Sequence, residues 1–398
     1  PGLIDIIEDT ESIYRFKNKT NLNKEIKKNI NISNNFEEKK NNLRRFKQGE
    51  ELRIGIRYII GEADIEGTLK DLSSLAETHI ENAYQLALTK LSAQYPSERI
   101  IPNNFAIIGM GKIGGNEINF KSDLDLIFVY ETNKDDSLFS DNVVLFYTKI
   151  YQLLHELTSQ VTSSGYAYKI DSDLRPEGKS GLMVNSIKSY EEYYRVRART
   201  WEQQSMVRAR FIAGNQQTGK NFINMVNSFT YRPKLEYESI IEISRSREKI
   251  EQDLAEEATK GKNIKLGYGG LADIEFSVQI LQMMHGGKNS RLRETNTLCA
   301  LAQLDALGII DHEDSKNIKK NYLFLRNLEC SLRIQNISLM SHLPKEQEKL
   351  LILARFLKYS GENPIVIVRK FMNEYDQSTK EIRIFYRKTI DNLLRNAL

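Results

Sequence analysis

The spacing of apolar residues divides the chain into helical segments on either side of a short stretch of strands. Between Leu72 and Ala87 apolar residues recur every three to four positions, which predicts an amphipathic helix that ends before Pro96 and turns His79 toward the core. Residues 17–46, rich in Lys and Asn, predict a solvated helix face or linker. Beyond about residue 215 the period is again helical, which predicts a helical bundle.

The last helix has a clear predicted start. Asn363 stands before Pro364, and an Asn cap followed by proline at the first helical position is typical of a helix N-terminus.

The middle of the chain has the pattern of a small sheet. "FAIIGMG" predicts a strand entering a glycine turn, "DLDLIFVY" a strand that is apolar on both faces, "YAYKIDSDL" a third strand and "SGLMVNS" a fourth. A helical stripe between residues 141 and 161 separates the second strand from the third. We therefore predict an α+β fold: a small mixed sheet with an N-terminal helical extension and a C-terminal helical bundle. The predicted domains are residues 1–100, 101–215 and 216–398.

Two carboxylates stand at the start of the second predicted strand. On a strand, residues i and i+2 point to the same side, so Asp123 and Asp125 are expected to form a pair. Two neighbouring carboxylates repel each other unless a cation lies between them, and oxygen ligands suit Mg²⁺. Asp171, on the third strand, is expected to reach the same metal. The predicted metal ligands and catalytic residues are therefore Asp123, Asp125 and Asp171.

The glycine turn "GMGKIGG" before this strand is typical of a phosphate cradle, with Lys112 adding a positive charge. A P-loop is excluded because GxxxxGK[ST] does not occur. Gly109, Gly111 and Gly114 do satisfy GxGxxG, so a dinucleotide-binding oxidoreductase is an alternative. That fold requires a helix next and an acidic residue about 20 positions on, whereas Asp123 comes much earlier.

The string "GMGKIGGNEINFKSDLDLIF" resembles the nucleotidyltransferase signature of the polymerase β superfamily and, more narrowly, the bacterial glutamine synthetase adenylyltransferase family. Further similar segments are "DSDLRPEGKSGLMVNSIKSYEEYY", "WEQQSMVRAR", "KLGYGGLADIEFSVQ" and "YLFLRNLE", so the resemblance covers most of the chain. It implies a polymerase β-like core and an enzyme that moves AMP from ATP to a tyrosine hydroxyl of glutamine synthetase. Control by a signal protein of the PII family is also implied.

The resemblance assigns roles to individual positions. Asp123 and Asp125 match the metal-binding pair, and Asp171 matches the third aspartate of the family's D-x-R-L-R-P run. Asp173 replaces the arginine that is usual in that run, whereas Arg175 matches its last arginine and is expected to hold triphosphate oxygens. The predicted nucleotide-binding residues are Gly109, Gly111, Lys112, Gly114, Gly115, Ser122, Arg175 and Lys265.

Several segments bear on the direction of the reaction. Members of the family typically contain an AMP-attaching half and an AMP-removing, phosphorolytic half, whereas this chain has one "SDLDL" and begins with Pro1. We expect one catalytic half or a single-domain relative. "TWEQQSMVRAR" and "GGLADIEF" favour the attaching half, and "ILQMMHGG" favours the removing half. Attachment is the preferred prediction, with removal as its alternative and a non-enzymatic regulatory module as a third.

Composition limits the remaining possibilities. With 57 Lys and Arg against 53 Asp and Glu, the net charge of +4 is too small to indicate a nucleic-acid partner. No run of 18 apolar residues or secretion signal occurs, which argues against a membrane partner. Cys299 and Cys330 lack metal-site spacing and fit buried thiols in a reducing cytoplasm. Near the "WEQ" segment, Trp201 is expected to pack and Arg208 and Arg210 to be solvated.

Overall fold

The computed structural model of the chain describes residues 10–94, 103–132, 140–162, 164–233, 235–255, 262–335 and 341–397. Within these residues the chain divides into two units, Pro1–Phe229 and Thr230–Leu398. Pro96 and the predicted boundary between residues 100 and 101 lie outside the described ranges. The three-domain division stays a prediction.

The first unit begins with helices whose starts follow from local capping. They are α1 (Thr10–Tyr14), α2 (Lys19–Ile30), α3 (Phe36–Ile60) and α4 (Ile65–Ser92). The side chains of Asn18, Asn35 and Asp64 accept hydrogen bonds from backbone N–H groups in the first turns of α2, α3 and α4. Gly61, in the left-handed conformation, ends α3. His79 on α4 is fully buried, as predicted.

The Lys- and Asn-rich segment is more buried than its composition suggests. Lys40 and Arg44 on α3 are both buried, so the prediction of a solvated face is wrong at these two positions. Lys40 pairs with Glu37 and Glu156, and Arg44 donates to the carbonyl oxygens of Glu156 and Gln160. Basic side chains can be buried here because acids and carbonyl groups satisfy them.

The sheet has five strands and lies between two helical layers. Its strands are β1 (Phe105–Gly109), β2 (Leu124–Tyr130), β3 (Ile170–Asp171), β4 (Val184–Ser186) and β5 (Arg210–Gly214), in the order β3-β2-β1-β5, with β4 also paired to β2. β1 is antiparallel to β2 and to β5, whereas β3 and β4 run parallel to β2. The structure thus confirms the predicted α+β fold with a mixed sheet, and it adds β5, which the sequence pattern did not indicate.

Helices cover both faces of the sheet, which explains why β1 and β2 are apolar throughout. The helices that follow β1 in this unit are α5 (Gly111–Gly114), α6 (Ser140–Ser159), α7 (Ile187–Val196), α8 (Thr200–Met206) and α9 (Gln216–Thr230). On one face Phe105 of β1 stacks against Tyr84 of α4 and Tyr147 of α6. On the other, Ile108 and neighbouring strand residues form one buried cluster with side chains of α7, α8 and α9, among them Tyr190, Met206 and Phe222.

The second unit is helical over most of its described residues, as predicted. Its helices are α10 (Tyr237–Ala255), α11 (Leu271–His285), α12 (Thr297–Ala306), α13 (His312–Ile334), α14 (Gln347–Phe356) and α15 (Pro364–Ala397). The predicted cap of α15 is confirmed, because Asn363 Oδ1 accepts a hydrogen bond of 3.1 Å from the N–H of Val366. Cys330 is buried as expected, but Cys299 is exposed. No described helix has the length and apolar character that a membrane span requires.

Candidate functional site

The glycine turn after β1 lies directly on one of the predicted carboxylates. The N–H of Met110 donates to the carbonyl oxygen of Asp125 at 2.8 Å, which holds the turn against the start of β2. Gly111 has φ +50°, and a Cβ atom at this position would overlap Asp125 Oδ2. Only glycine allows both this backbone conformation and this close approach.

Two of the three predicted catalytic carboxylates are neighbours across the sheet. Asp125 and Asp171 are register partners in the parallel pairing of β2 with β3, next to the pair Leu124 and Ile170. Asp171 is exposed and Asp125 is partly buried. Asp171 Oδ1 accepts a hydrogen bond of 2.8 Å from the N–H of Asp173, which fixes the direction of its carboxylate. The structure therefore brings Asp125 and Asp171 together at the ends of adjacent strands.

The third predicted carboxylate, Asp123, is exposed and precedes the first residue of β2. Among the described residues, no group of three or more His, Cys, Asp or Glu side chains is arranged to hold a metal ion. The donors that are adjacent, Asp125 and Asp171, offer only carboxylate oxygens, which is the ligand chemistry that suits Mg²⁺. The metal site stays a prediction whose residues have suitable chemistry.

Arg175 organises the loop that follows Asp171. Its guanidinium group is buried and donates to three loop carbonyl oxygens, those of Ser172 at 2.8 Å, Lys179 at 3.1 Å and Gly181 at 3.1 Å. In this conformation its donors face the loop, so its contact with triphosphate oxygens stays a prediction. Asp173, at the position where the family usually has arginine, lies 3.7 Å from Arg175 and 3.6 Å from Lys179.

Several of the turn glycines have packing roles. A Cβ at Gly109 would lie 2.7 Å from the Ile212 side chain of β5, and one at Gly114 would overlap the carbonyl oxygen of Arg208. The N–H groups of Gly114 and Gly115 donate to the carbonyl oxygens of Met110 and Gly111, within the turn itself. These two N–H groups are therefore occupied by hydrogen bonds within the turn. The predicted phosphate contacts would have to come from other N–H groups of the turn.

The two other predicted residues near the turn take part in its local contacts. Lys112 is half-buried on α5, and its carbonyl oxygen accepts a 2.8 Å hydrogen bond from the N–H of Glu117. The N–H of Ser122 donates to the carbonyl oxygen of Asn119 at 3.2 Å, just before β2 begins. Nucleotide contacts of Lys112 and Ser122 stay predictions.

Two arginines that the sequence pattern left as solvated charges support the turn. Arg208 is buried and pairs with the buried Glu117 at 3.2 Å. Arg210, at the start of β5, donates to the carbonyl oxygens of Ile113 and Gly114 and pairs with Glu77 of α4. The expectation of solvated charges is therefore wrong for Arg208. The sequence did contain a signal for this pairing. Glu117 ends the "GGNE" string and both arginines belong to "VRAR", so all three lie within the segments that resemble the family.

The pKa of Glu77 reflects this support. Burial raises the pKa of its carboxyl group, but the charges and hydrogen bonds of Arg210 and Lys19 lower this pKa by more. The net pKa of Glu77 therefore lies below its ordinary value. Glu77 is thus held as an anion that orients Arg210 against the turn.

In the "WEQ" segment the tryptophan is exposed and the glutamate is buried. Trp201 is 42% exposed, so the expectation that it packs is wrong. Glu202 is buried and accepts hydrogen bonds from the hydroxyl of Tyr193 at 2.8 Å and from the N–H of Arg199 at 2.8 Å. Glu202 therefore joins α7 to the start of α8.

Lys265 belongs to the second unit. Its N–H donates to Asn263 Oδ1 at 2.9 Å, and its carbonyl oxygen accepts from Ala272 at 2.9 Å. The buried Asp273 that follows pairs with Arg247 at 2.6 Å and with Arg383 at 3.2 Å. A cavity of about 770 Å³ in this unit is lined in part by Asn263, Gly267 and Tyr268. A nucleotide contact of Lys265 stays a prediction.

The dinucleotide alternative does not fit the fold. A dinucleotide-binding motif places a long helix after the glycines and a parallel second strand. Here α5 has four residues, and β2 is antiparallel to β1. A small mixed sheet with a glycine turn against adjacent carboxylates instead defines a nucleotidyltransferase-like α+β fold.

Comparison with known proteins gives the particular family. Residues 1–225 match the family profile of glutamate-ammonia ligase adenylyltransferase. The chain belongs to this family. Residues 242–390 match the profile of GlnD PII-uridylyltransferase.

Individual relatives agree with this assignment. The chain is 31% identical over 313 residues to a bifunctional glutamine synthetase adenylyltransferase/adenylyl-removing enzyme of Hahella chejuensis, covering 77% of this chain and 32% of that protein. Proteins of the same name from Pseudomonas putida and Burkholderia mallei are 33% and 34% identical; the alignments cover 73% and 77% of this chain and 30% and 35% of those proteins. The chain thus spans about a third of the length of the curated relatives it matches.

Proposed function

We propose that this chain transfers AMP from ATP to a tyrosine hydroxyl of glutamine synthetase and releases pyrophosphate. The observation that carries the proposal is the pairing of Asp125 with Asp171 in adjacent strands, with Gly111 packed directly on Asp125. Membership of the family and the names of the relatives support the substrate assignment. The proposed partner is therefore glutamine synthetase and the proposed cofactor is Mg²⁺.

In the proposed reaction the tyrosine oxygen attacks the α-phosphorus of ATP. The new O–P bond forms as the bond from the α-phosphorus to the bridging oxygen breaks, and pyrophosphate leaves with that electron pair. A tyrosine hydroxyl has a pKa near ~10, so its proton must be accepted during attack. Asp171 is the proposed acceptor because it is exposed at the strand end and Asp173 fixes its orientation.

The glycine turn positions the nucleotide in this proposal. Asp123, Asp125 and Asp171 would hold Mg²⁺, which when bound supplies positive charge to the triphosphate and the attacking oxygen. The contacts of Arg208 and Arg210 keep the turn fixed against the entry to β5, so that the phosphates and the acceptor oxygen meet in one orientation.

The test is transfer of label from ATP labelled at the α-phosphate to glutamine synthetase. We expect Asp125→Asn and Asp171→Asn to lower the rate at least about 100-fold, the effect of removing a group that stabilises charge in the transition state. Asp391→Asn is the matched control, since the same substitution there removes an exposed carboxylate of α15, in the second unit and outside the proposed site. Equal melting temperatures of all variants exclude unfolding. Undiminished transfer by Asp125→Asn would refute the proposal.

Removal of AMP is the second candidate, because the relatives are named as bifunctional and "ILQMMHGG" favours the removing half. In that reaction an orthophosphate oxygen attacks the α-phosphorus of AMP-tyrosine, ADP forms and the tyrosine hydroxyl is restored. Incubating labelled, modified synthetase with the chain distinguishes the two: release of labelled ADP that depends on orthophosphate supports removal. We expect attachment to be faster.

We also propose that a PII-family signal protein regulates the whole protein. The supporting observation is the match of residues 242–390, within the second unit, to PII-uridylyltransferase. The measurement is the rate of AMP transfer by the full-length protein with and without a PII protein, and an unchanged rate would remove this part of the proposal.

A further inference from the structure

The segment Arg195–Trp201, with sequence RVRARTW, presents an unusual surface. The side chains of Arg195, Val196, Arg197, Arg199 and Trp201 are all exposed, and Val196 is 73% exposed. Exposed tryptophan and arginine are the residues most enriched at the energetically important positions of protein interfaces. Nothing in the proposed adenylyl transfer uses this segment.

The segment also has positive charge that the unit does not neutralise. Arg197 pairs with Glu177, whereas neither Arg195 nor Arg199 forms an ion pair with any residue in the described ranges. Glu191 and Glu192, exposed on the preceding turns of α7, confine the positive region to a few residues. A short acidic partner fits such a region better than a long polyanion, whose affinity comes from many phosphate contacts.

An ion pair between exposed side chains links the segment to the loop beyond Asp171. Glu177, the partner of Arg197, follows Arg175 in the loop that the Arg175 guanidinium organises. Glu202 ties the segment to α7, because it accepts from both Tyr193 and the N–H of Arg199. The arginines and Trp201 are therefore presented beside the loop that follows Asp171, a proposed catalytic residue.

We infer that Arg195–Trp201 is the docking surface for an acidic stretch of the acceptor polypeptide, the stretch that carries the target tyrosine. Acidic side chains would pair with Arg195 and Arg199, and an apolar or aromatic side chain would cover Trp201 and Val196. This inference rests on the proposed function, because it assigns the acceptor of that same reaction.

Trp201 provides a direct test, since it is the single tryptophan of the chain. The full chain is titrated with a synthetic peptide that contains one tyrosine flanked by glutamates and no tryptophan. We expect a saturable change in Trp201 fluorescence that weakens as salt is added, because the contacts are exposed ion pairs. A peptide with glutamine in place of each glutamate should bind at least about tenfold more weakly.

Charge reversal then locates the peptide. Arg195→Glu/Arg199→Glu should weaken peptide binding at least about tenfold and remove its salt dependence. The control, Lys24→Glu/Lys28→Glu, makes the same change in net charge on exposed positions of α2 and should bind like the wild type. Equal loss in both variants, or tighter binding of a single-stranded oligonucleotide than of the acidic peptide, would overturn the inference.

Kinetics separate this inference from the proposed function. With glutamine synthetase as acceptor, Arg195→Glu/Arg199→Glu should raise KM for the synthetase at least about tenfold and leave KM for ATP unchanged. If the wild-type chain transfers AMP and this KM does not change, the docking surface is wrong while the proposed function stands. If the wild type transfers no AMP, the proposed function fails, and the docking assignment fails with it.

Discussion

Gly111 is the single residue on which the geometry of the candidate site depends most directly, because its backbone conformation and its contact with Asp125 both exclude a side chain. We predict that Gly111→Ala lowers AMP transfer about 100-fold, since a displacement of about 1 Å at a reacting group has an effect of this size. The variant should also lose about 1–3 kcal/mol of unfolding free energy. Transfer assays and urea denaturation measure the two effects.

Gly308→Ala is the control for Gly111→Ala. Gly308 also has positive φ, but a Cβ there would meet nothing within 4 Å. Gly308→Ala should lose only about 1–2 kcal/mol of unfolding free energy, the penalty of the left-handed backbone conformation, and should retain AMP transfer. Equal activity of the two variants would contradict the role of the Gly111–Asp125 contact.

A second residue-scale prediction concerns His79. Burial lowers the pKa of this imidazole to about 3, below the ordinary value of 6.5. The unfolded chain therefore binds a proton between these pH values that the folded chain does not. The contribution of neutral His79 to the free energy of unfolding should be fully present above pH 6.5. It should fall by up to about 1.4 kcal/mol per pH unit as the pH is lowered toward 3.

His79→Phe should reduce this pH dependence. Tyr84→Phe is the control on the same helix: burial raises the pKa of the Tyr84 hydroxyl to about 12, so this variant should leave the pH dependence unchanged. The measurement is urea denaturation at pH 5 and pH 7, followed by the fluorescence of Trp201. If the free energy of unfolding changes between pH 5 and pH 7 by the same amount in His79→Phe as in the wild type, His79 is not the source of the pH dependence.

Sequence patterns predict individual residues well where the reason is local. The positions of Asp125 and Asp171 on neighbouring strands follow from strand period and motif, and the cap at Asn363 follows from its neighbours. Arg175 and Trp201 are different. The burial of the Arg175 guanidinium among loop carbonyls and the exposure of Trp201 depend on how distant segments pack, which a single sequence does not contain.

At the scale of elements, the glycine turn and the entry to β5 are joined by the buried pair of Glu117 and Arg208. We predict that Arg208→Ala costs about 3–5 kcal/mol of unfolding free energy, because it breaks a buried ion pair by removing the cation. In a double-mutant cycle, Glu117→Ala/Arg208→Ala should cost less than the sum of the single variants. Denaturant unfolding measures the cycle, and strictly additive costs would show that the pair is not coupled.

Strand β5 itself shows the limit of prediction for elements. Its five residues, RFIAG, are shorter than a helical stripe and have no alternation of polar and apolar positions. Its strand character comes from pairing with β1, whose other edge is occupied by β2. The longer strands β1 and β2 could be predicted because both faces are covered and their apolar runs are therefore continuous.

At the scale of the whole molecule, the extent of the first unit is the feature that can be tested most directly. The predicted domain boundary falls before residue 216, whereas the compact unit continues to Phe229 and includes nearly all of α9. Phe222 and Val226 of α9 are buried in the cluster formed by one face of the sheet. A fragment that ends at residue 215 would lack the part of this cover that α9 supplies.

We therefore predict that fragment 1–229 unfolds cooperatively in urea and that fragment 1–215 does not. Truncating a single large core side chain typically costs about 2–5 kcal/mol, and the total stability of a domain is about 5–15 kcal/mol, so losing both α9 side chains removes a large part of it. Trp201 fluorescence and circular dichroism follow both fragments, and Phe222→Ala in the full chain gives the cost of one contact. Identical transitions for the two fragments would place the boundary at residue 215, because α9 would then contribute nothing to the stability of the sheet.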